Sequence, residues 1–376
     1  MDFKITVMNT RYNFTNILED LKEKMVFLSG PRQVGKTTIA KQIVPNQAYL
    51  NWDIPEHREQ ILKGIFPSNQ PFWALDEIHK YSKWRNTLKG LYDKFHGSTE
   101  ILVTGSAKLD FYKRGGDSLQ GRYFSHRLHP LSWKEVGAKA SSDWDQLFEM
   151  GGFPEPFFKG SSTYQKRWRR EYRTRLIQEE IVSLEKLNDL GKLEQLVLFL
   201  PERVGSPLSL ASIARDIEVS PKTAGSWVQI LERLYSVFLV PPYHKKSVRS
   251  VKKEKKHYHW DWATVDHPPA RLENLVASHL LKYAHFLQDT RGEDINLYYY
   301  RDTDGREVDF VLADYKKALF AIEVKWADED VHKPLRYFKN KFPEVEAWQI
   351  HLGKKDYITQ EGIRVAPVTT LLERFV

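Results

Sequence analysis

A four-residue apolar run, Met25 to Leu28, is followed by the polar, glycine-bearing stretch 29–38 and then by apolar residues at helical spacing up to Val44. Strand, loop and helix are predicted in that order. Apolar runs at 72–75 and 101–103 read as two further strands. Gly151-Gly152 and Pro154-Glu155-Pro156 then punctuate the chain and suggest a boundary. Tyr164, Trp168 and Tyr172 recur every four residues with arginines between them. That stripe is either the buried face of a helix, the commoner cause, or an aromatic and basic surface for nucleic acid. From residue 207 the period is clearly helical. Leu210, Ile213, Ala214 and Ile217 share one face, residues 218–220 make a turn, and Ser220-Pro221 caps and opens the next helix. That helix runs through Thr223, Trp227, Ile230, Leu231 and Leu234. A strand at 237–240, a basic loop at 245–256 and an aromatic strand at 257–262 turn this helix-turn-helix into a winged helix. Farther on, 271–283 is an amphipathic helix, while 306–312 and 321–326 alternate as strands. The expected organisation is 1–150, 151–205 (helical), 206–262 (winged helix) and 263–376.

Composition changes this picture little. The 376 residues suffice for two or three domains, and 41% hydrophobic content argues for a globular chain. There are no cysteines, which excludes disulfides, thiol nucleophiles and cysteine zinc sites and agrees with a reducing cytoplasm. The first residues lack the apolar core of a signal peptide, and no later apolar run is long enough to span a bilayer, so a cytoplasmic protein is expected. The net charge of +8 is concentrated at 166–175 and 245–256. Such clusters suit a polyanion, although solvated faces have the same composition.

The chemistry begins at 29–38. Gly30, Gly35, Lys36 and Thr37 occupy the fixed positions of G-x-x-x-x-G-K-[ST]. The segment Gly30, Pro31, Arg32, Gln33, Val34, Gly35, Lys36, Thr37 and Thr38 is therefore expected to cradle the phosphates of ATP at a helix N-terminus. Lys36 would reach the β- and γ-phosphates, and Thr37 would coordinate Mg²⁺. The strand at 72–75 ends in Asp76-Glu77, a Walker B pattern, with Asp76 for the metal and Glu77 for the attacking water. Thr104 and Ser106, after the third strand, are candidates for contact with the γ-phosphate, and Ser106 is equally a cap or turn residue. Arg122, with Arg114 in reserve, is the candidate for an arginine supplied by a neighbouring subunit; a plain surface arginine is the alternative.

A second constellation lies near the C-terminus. Glu307 and Asp309 share one strand face, as do Glu323 and Lys325. An aspartate on one strand and Glu-x-Lys on the next is the PD-(D/E)XK arrangement. Asp309 and Glu323 would bind Mg²⁺ or Mn²⁺, Glu273 on the preceding helix would add a carboxylate, and Lys325 would activate or position a hydrolytic water. A domain with these residues can also merely grip DNA, since fold does not fix function. In the winged helix, Lys222, Thr223 and Ser226 would face a DNA groove while Lys252, Lys253, Lys255 and Lys256 neutralise phosphates. Packing between domains is the alternative use.

The ordered series GPRQVGKTT, LDEIHK, VTGSAKLD, GDSLQGR, PLSWKEV and GGFPEP resembles a prokaryotic AAA+-type ATPase family. Its members have an N-terminal ATPase module and a C-terminal domain long described as of unknown function, similar to the PD-(D/E)XK nuclease fold. The resemblance implies an α/β fold: a P-loop AAA+ core on a parallel sheet, a helical and winged-helix segment, and a C-terminal α/β nuclease-like domain. It also suggests ring-like homo-oligomers. The expected activity is ATP hydrolysis coupled to DNA binding, remodelling or metal-dependent processing. The rivals are an ATP-switched DNA-binding or regulatory protein that never cuts, and a signalling ATPase directed at another protein.

Overall fold

The structure is a computed structural model that describes residues 11–67, 70–105, 119–137, 141–181, 189–243 and 254–376. Ser106, Arg114, Lys252 and Lys253 lie outside the described residues. The chain divides into two compact units, Met1–Pro130 and Leu131–Val376.

The first unit is built on five parallel strands: β1 Met25–Ser29, β2 Tyr49–Asn51, β3 Phe72–Asp76, β4 Glu100–Thr104 and β5 Tyr123–Arg127. Their order across the sheet is β2-β3-β4-β1-β5. Helices α1 Phe14–Glu23, α2 Lys36–Ile43, α3 Pro55–Lys63 and α4 Trp84–Phe95 are interleaved with them. Every residue of β1 is buried, as a central strand covered on both faces requires, and this is why it reads as an unbroken apolar run. The register pairs Leu28 with Thr104 and Thr104 with Asp76. The loop after β1, the end of β3 and the end of β4 therefore meet at the carboxyl edge of the sheet, where ligands bind in open α/β folds.

The second unit opens with α5 Ser141–Met150, α6 Pro154–Lys159 and α7 Ser162–Arg175. Trp168 of α7 is buried and stacks on Tyr172 with ring centroids 5.0 Å apart, and both rings pack against Phe153. Tyr164 instead points outward and hydrogen-bonds Glu155. After a π-helical turn, Leu176–Ile181, come α8 Leu190–Phe199, α9 Leu210–Asp216 and α10 Pro221–Arg233. The Ser220 hydroxyl accepts from the Thr223 N–H at 3.0 Å, a cap that contributes about 1 kcal/mol. Strands β6 Val237–Val240 and β7 Lys256–His259 form an antiparallel pair. The aromatic strand expected at 257–262 therefore ends at His259. The Asp261 side chain accepts from the Ala263 N–H and turns the chain into a short 3-10 helix, Trp262–Thr264.

The 24-residue helix α11 Pro268–Arg291 leads into a six-stranded mixed sheet. Its strands are β8 Asn296–Arg301, β9 Glu307–Ala313, β10 Ala318–Val324, β11 Glu346–His351, β12 Tyr357–Ile358 and β13 Ile363–Pro367. Their order is β12-β13-β11-β10-β9-β8, with α12 Lys333–Lys341 and α13 Val368–Leu372 completing the unit. Strands β9 and β10 are antiparallel neighbours, so the carboxylates of 307, 309 and 323 are brought to one region. Among the described residues no helix is long and apolar enough to cross a membrane.

Candidate functional sites: a phosphate loop and a carboxylate cluster

The loop after β1 turns on two glycines that no other residue replaces easily. Gly30 has φ +147°, and a Cβ there would lie 2.3 Å from the Leu128 carbonyl oxygen on the backbone next to β5. Gly35, at φ +107°, hands the chain into α2. Pro31, Arg32, Gln33 and Val34 form the bend between them, with Gln33 at φ +59° and Val34 buried. Lys36 is 6% exposed, and its Nζ donates to the carbonyls of Gly30 at 2.9 Å and Pro31 at 2.6 Å. The ammonium is thus held inside the cradle. Thr38 follows on the first turn of α2, half-buried.

Asp76 is the hub of the site and is buried. Its Oδ2 accepts from the Thr37 hydroxyl at 2.8 Å and the Tyr49 hydroxyl at 2.5 Å, while Oδ1 accepts from Thr104. Burial, then the neighbouring carboxylate, pushes the Tyr49 phenol well above its ordinary pKa, so it remains a donor. Glu77 adopts φ +56° and donates its N–H to the Thr104 carbonyl at 3.0 Å. Its Oε2 lies 3.3 Å from Lys80 Nζ and 3.8 Å from His79 Nε2. Burial lowers the His79 pKa, which favours a neutral imidazole there.

These residues fit a nucleotide phosphate with Mg²⁺. A Cβ at Gly30 would close the cradle, an ammonium already sits within it, and a hydroxyl and a carboxylate for a hard cation are 2.8 Å apart. Gly30→Ala is expected to destabilise the first unit by about 1–3 kcal/mol through overpacking and to abolish ATP binding. ATP affinity that survives the change would place the phosphates elsewhere.

Arg122 does not join this group within the chain. It immediately precedes β5, and its carbonyl accepts from the N–H of Met25, the first residue of β1. It therefore lies at the amino edge of the sheet, one five-residue strand (about 16 Å) from the loop. Its Nε donates to Asp93 at 2.9 Å. Two residues of the site carry no sequence signal of their own. Tyr49 lies on a three-residue strand. Arg11, 5% exposed, donates to the carbonyls of Val34 and His129 and so fixes the loop.

The second unit holds the carboxylate cluster. Asp309 Oδ2 accepts from the Val324 N–H at 2.9 Å, and Glu323 Oε2 faces the Asp309 N–H at 3.4 Å. Glu323 Oε1 lies 2.9 Å from Lys325 Nζ and 2.7 Å from His332 Nδ1. Burial, then the charges of Glu323 and Glu273, drives the Asp309 pKa well above the usual carboxylate value, against the pull of Lys256. Glu273 reaches the cluster from α11 and accepts from the Tyr258 hydroxyl at 2.7 Å.

Lys256 overturns one expectation. Far from being an exposed wing lysine that contacts phosphates, it is 1% exposed. Its Nζ lies 2.6 Å from Glu307 Oε1, 3.6 Å from Glu273 Oε1 and 3.9 Å from Asp309 Oδ1. Burial alone would lower its pKa, but Glu273, Asp309 and Glu307 together raise it above the ordinary ammonium value. The neighbouring Lys255, just before the strand, stays exposed, while Lys256 and the rest of β7 are buried.

Three family models match successive parts of the chain: an AAA domain over residues 22–137, a domain of unknown function over 141–267 and another over 270–371. The parallel sheet, its glycine loop and the match agree on an AAA domain in the N-terminal region. An uncharacterized protein of Mycobacterium tuberculosis is 24% identical over 238 residues, covering 62% of this chain and 53% of its own length. The chain thus spans about half the length of that mycobacterial relative. An uncharacterized protein of Haemophilus influenzae is 22% identical over 384 aligned positions, covering 90% of this chain and 92% of its own. Among solved structures, the Aeropyrum pernix Orc1 protein in complex with DNA aligns with TM-score 0.33 and 12% identity, over 71% of this chain and 92% of that one. A STAND protein from Pyrococcus horikoshii aligns with TM-score 0.23 and 15% identity, over 73% and 44%.

Proposed function

We propose that the protein is an Mg²⁺-dependent ATP hydrolase whose turnover is coupled to DNA. The observation that carries the ATPase part is the convergence of Thr37, Tyr49 and Thr104 on Asp76 beside the Gly30–Lys36 cradle. Lys36 would bind the β- and γ-phosphates, and Thr37 with Asp76 would hold the metal. The metal's contribution would be to neutralise charge developing on the phosphates. Glu77 would orient the attacking water, and Thr104 would keep the Asp76 carboxylate in place. Arg122, placed as it is, would contribute only from a neighbouring copy in a homo-oligomer.

For DNA, we read α9, α10 and the β6–β7 pair as a winged helix. The exposed Lys222 and Ser226 on α10, with the half-buried Thr223 between them, support a groove-facing surface, as does the net charge of +8. The β9–β10 pair with α11 is read as a PD-(D/E)XK-like frame. Lysines already paired with its carboxylates argue against metal-dependent cutting there.

ATPase rates measured with linear, single-stranded and branched DNA test this reading. Stimulation by at least one form is expected, and DNA affinity should fall steeply between low and physiological salt as phosphate contacts release counterions. Turnover indifferent to every DNA form would point to a protein-directed switch instead.

A further inference from the structure

The carboxylates that a nuclease-like frame would offer to a metal surround an ammonium group instead. Lys256 reaches them from β7, outside the C-terminal sheet, and its Nζ approaches Glu307, Glu273 and Asp309 on three sides. A divalent cation takes its oxygen ligands at about 2.0–2.6 Å. Any metal that used Asp309 and Glu273 would have to share those oxygens with a fixed positive charge only a few ångströms away. The rest of the cluster is also engaged. Asp309 Oδ2 is held by the Val324 N–H, and Glu323 Oε1 by Lys325 and His332. Among the described residues, no group of three or more acidic or histidine side chains is arranged to hold a metal ion. The residues therefore do not fit the divalent metal that the Asp-and-Glu-x-Lys pattern implies.

We propose that Lys256 Nζ is the resident cation of this cluster, standing in place of a divalent metal, so that the strand pair β9–β10 neither binds Mg²⁺ or Mn²⁺ nor hydrolyses phosphodiesters. The proposal rests on the nuclease-like reading of the frame but not on the ATPase reading. The lysine also supplies a structural function. It fastens the β6–β7 pair to the sheet, because its backbone pairs with Val240 in the hairpin while its side chain ends among carboxylates from α11 and β9.

The test is Mn²⁺ binding to the full chain, followed by electron paramagnetic resonance. Asp76→Asn serves as the background, so that the phosphate-loop site does not contribute. The background chain is expected to show no saturable Mn²⁺ site. Adding Lys256→Met, which keeps the aliphatic stem but removes the charge, is expected to create one saturable Mn²⁺ site through loss of one close like charge. Asp309→Asn should then abolish the new site. Mn²⁺ bound by the background chain and lost on Asp309→Asn would overturn the proposal. So would a folded Lys256→Met chain that gains no site. If Lys256→Met fails to fold, the measurement on the background chain still decides. Incubating wild-type protein with DNA and Mn²⁺ is expected to leave the DNA intact, and cleavage that disappears with Glu323→Gln would also refute it. ATP turnover measured on the wild-type chain is independent of all these outcomes.

Discussion

Replacing Lys36 with alanine should lower ATP turnover by about 10²–10³-fold, the usual effect of removing one preorganised donor aimed at developing charge. The ammonium rests on the carbonyls of Gly30 and Pro31 inside the loop, so it is already positioned when a phosphate arrives. Little reorganisation is then needed during the reaction, and this is what makes a fixed donor effective in a site with little water. Alanine also leaves those two carbonyls without this donor, so a modest fall in the thermal stability of the first unit should accompany the loss. Phosphate release under saturating ATP measures the effect, with circular dichroism to show that the fold persists. Normal turnover in a folded Lys36→Ala protein would remove the loop from the mechanism.

Glu77→Gln should separate binding from hydrolysis. The amide keeps the size and most of the hydrogen bonding of the carboxylate, and the ion pairs of Glu77 run to Lys80 and His79 and not to the Lys36 ammonium. ATP should bind as before, while turnover drops by about 10²–10⁴-fold, the range for losing a positioned base. In the structure the Glu77 carboxylate is 3.3 Å from Lys80, which also donates to Asp53 at 2.5 Å. A left-handed backbone at Glu77 and this lysine together aim the side chain. Retention of radiolabelled ATP on the variant, with no phosphate released, is the expected result. Unchanged phosphate release would transfer the water-orienting role to another residue.

The phosphate loop was legible because its chemistry is local. Glycines at fixed offsets, a lysine and a threonine sit on consecutive residues between a strand and a helix, and the flanking hydrophobic pattern names both elements. Asp76 was legible for the same reason, as the polar end of an apolar run. Tyr49 and Arg11 were not, because their contributions exist only through the sheet order: β2 beside β3 brings a hydroxyl to Asp76, and the segment before α1 brings a guanidinium beneath Val34. Lys256 failed in the opposite direction. It belongs to a run of lysines that looks uniformly solvated, and only the carboxylates of the partner elements α11 and β9 draw this one inward. The strand ends sooner than its pattern suggests because five of the six residues from His257 to Trp262 are aromatic, and composition alone does not reveal the turn that the Asp261 side chain imposes.

The place of Arg122 has a consequence for assembly. An arginine on the amino edge of the sheet can serve a phosphate site on the carboxyl edge only if unlike faces of two copies meet. A two-fold dimer can meet this only if the two copies lie antiparallel, so that each arginine reaches the other copy's site. Head-to-tail contacts repeat from copy to copy, and they end either by closing into a ring or by running on as a filament. If Arg122 works in trans, the number of competent sites grows with the number of joined subunits, and an open chain always has one incomplete site at its end.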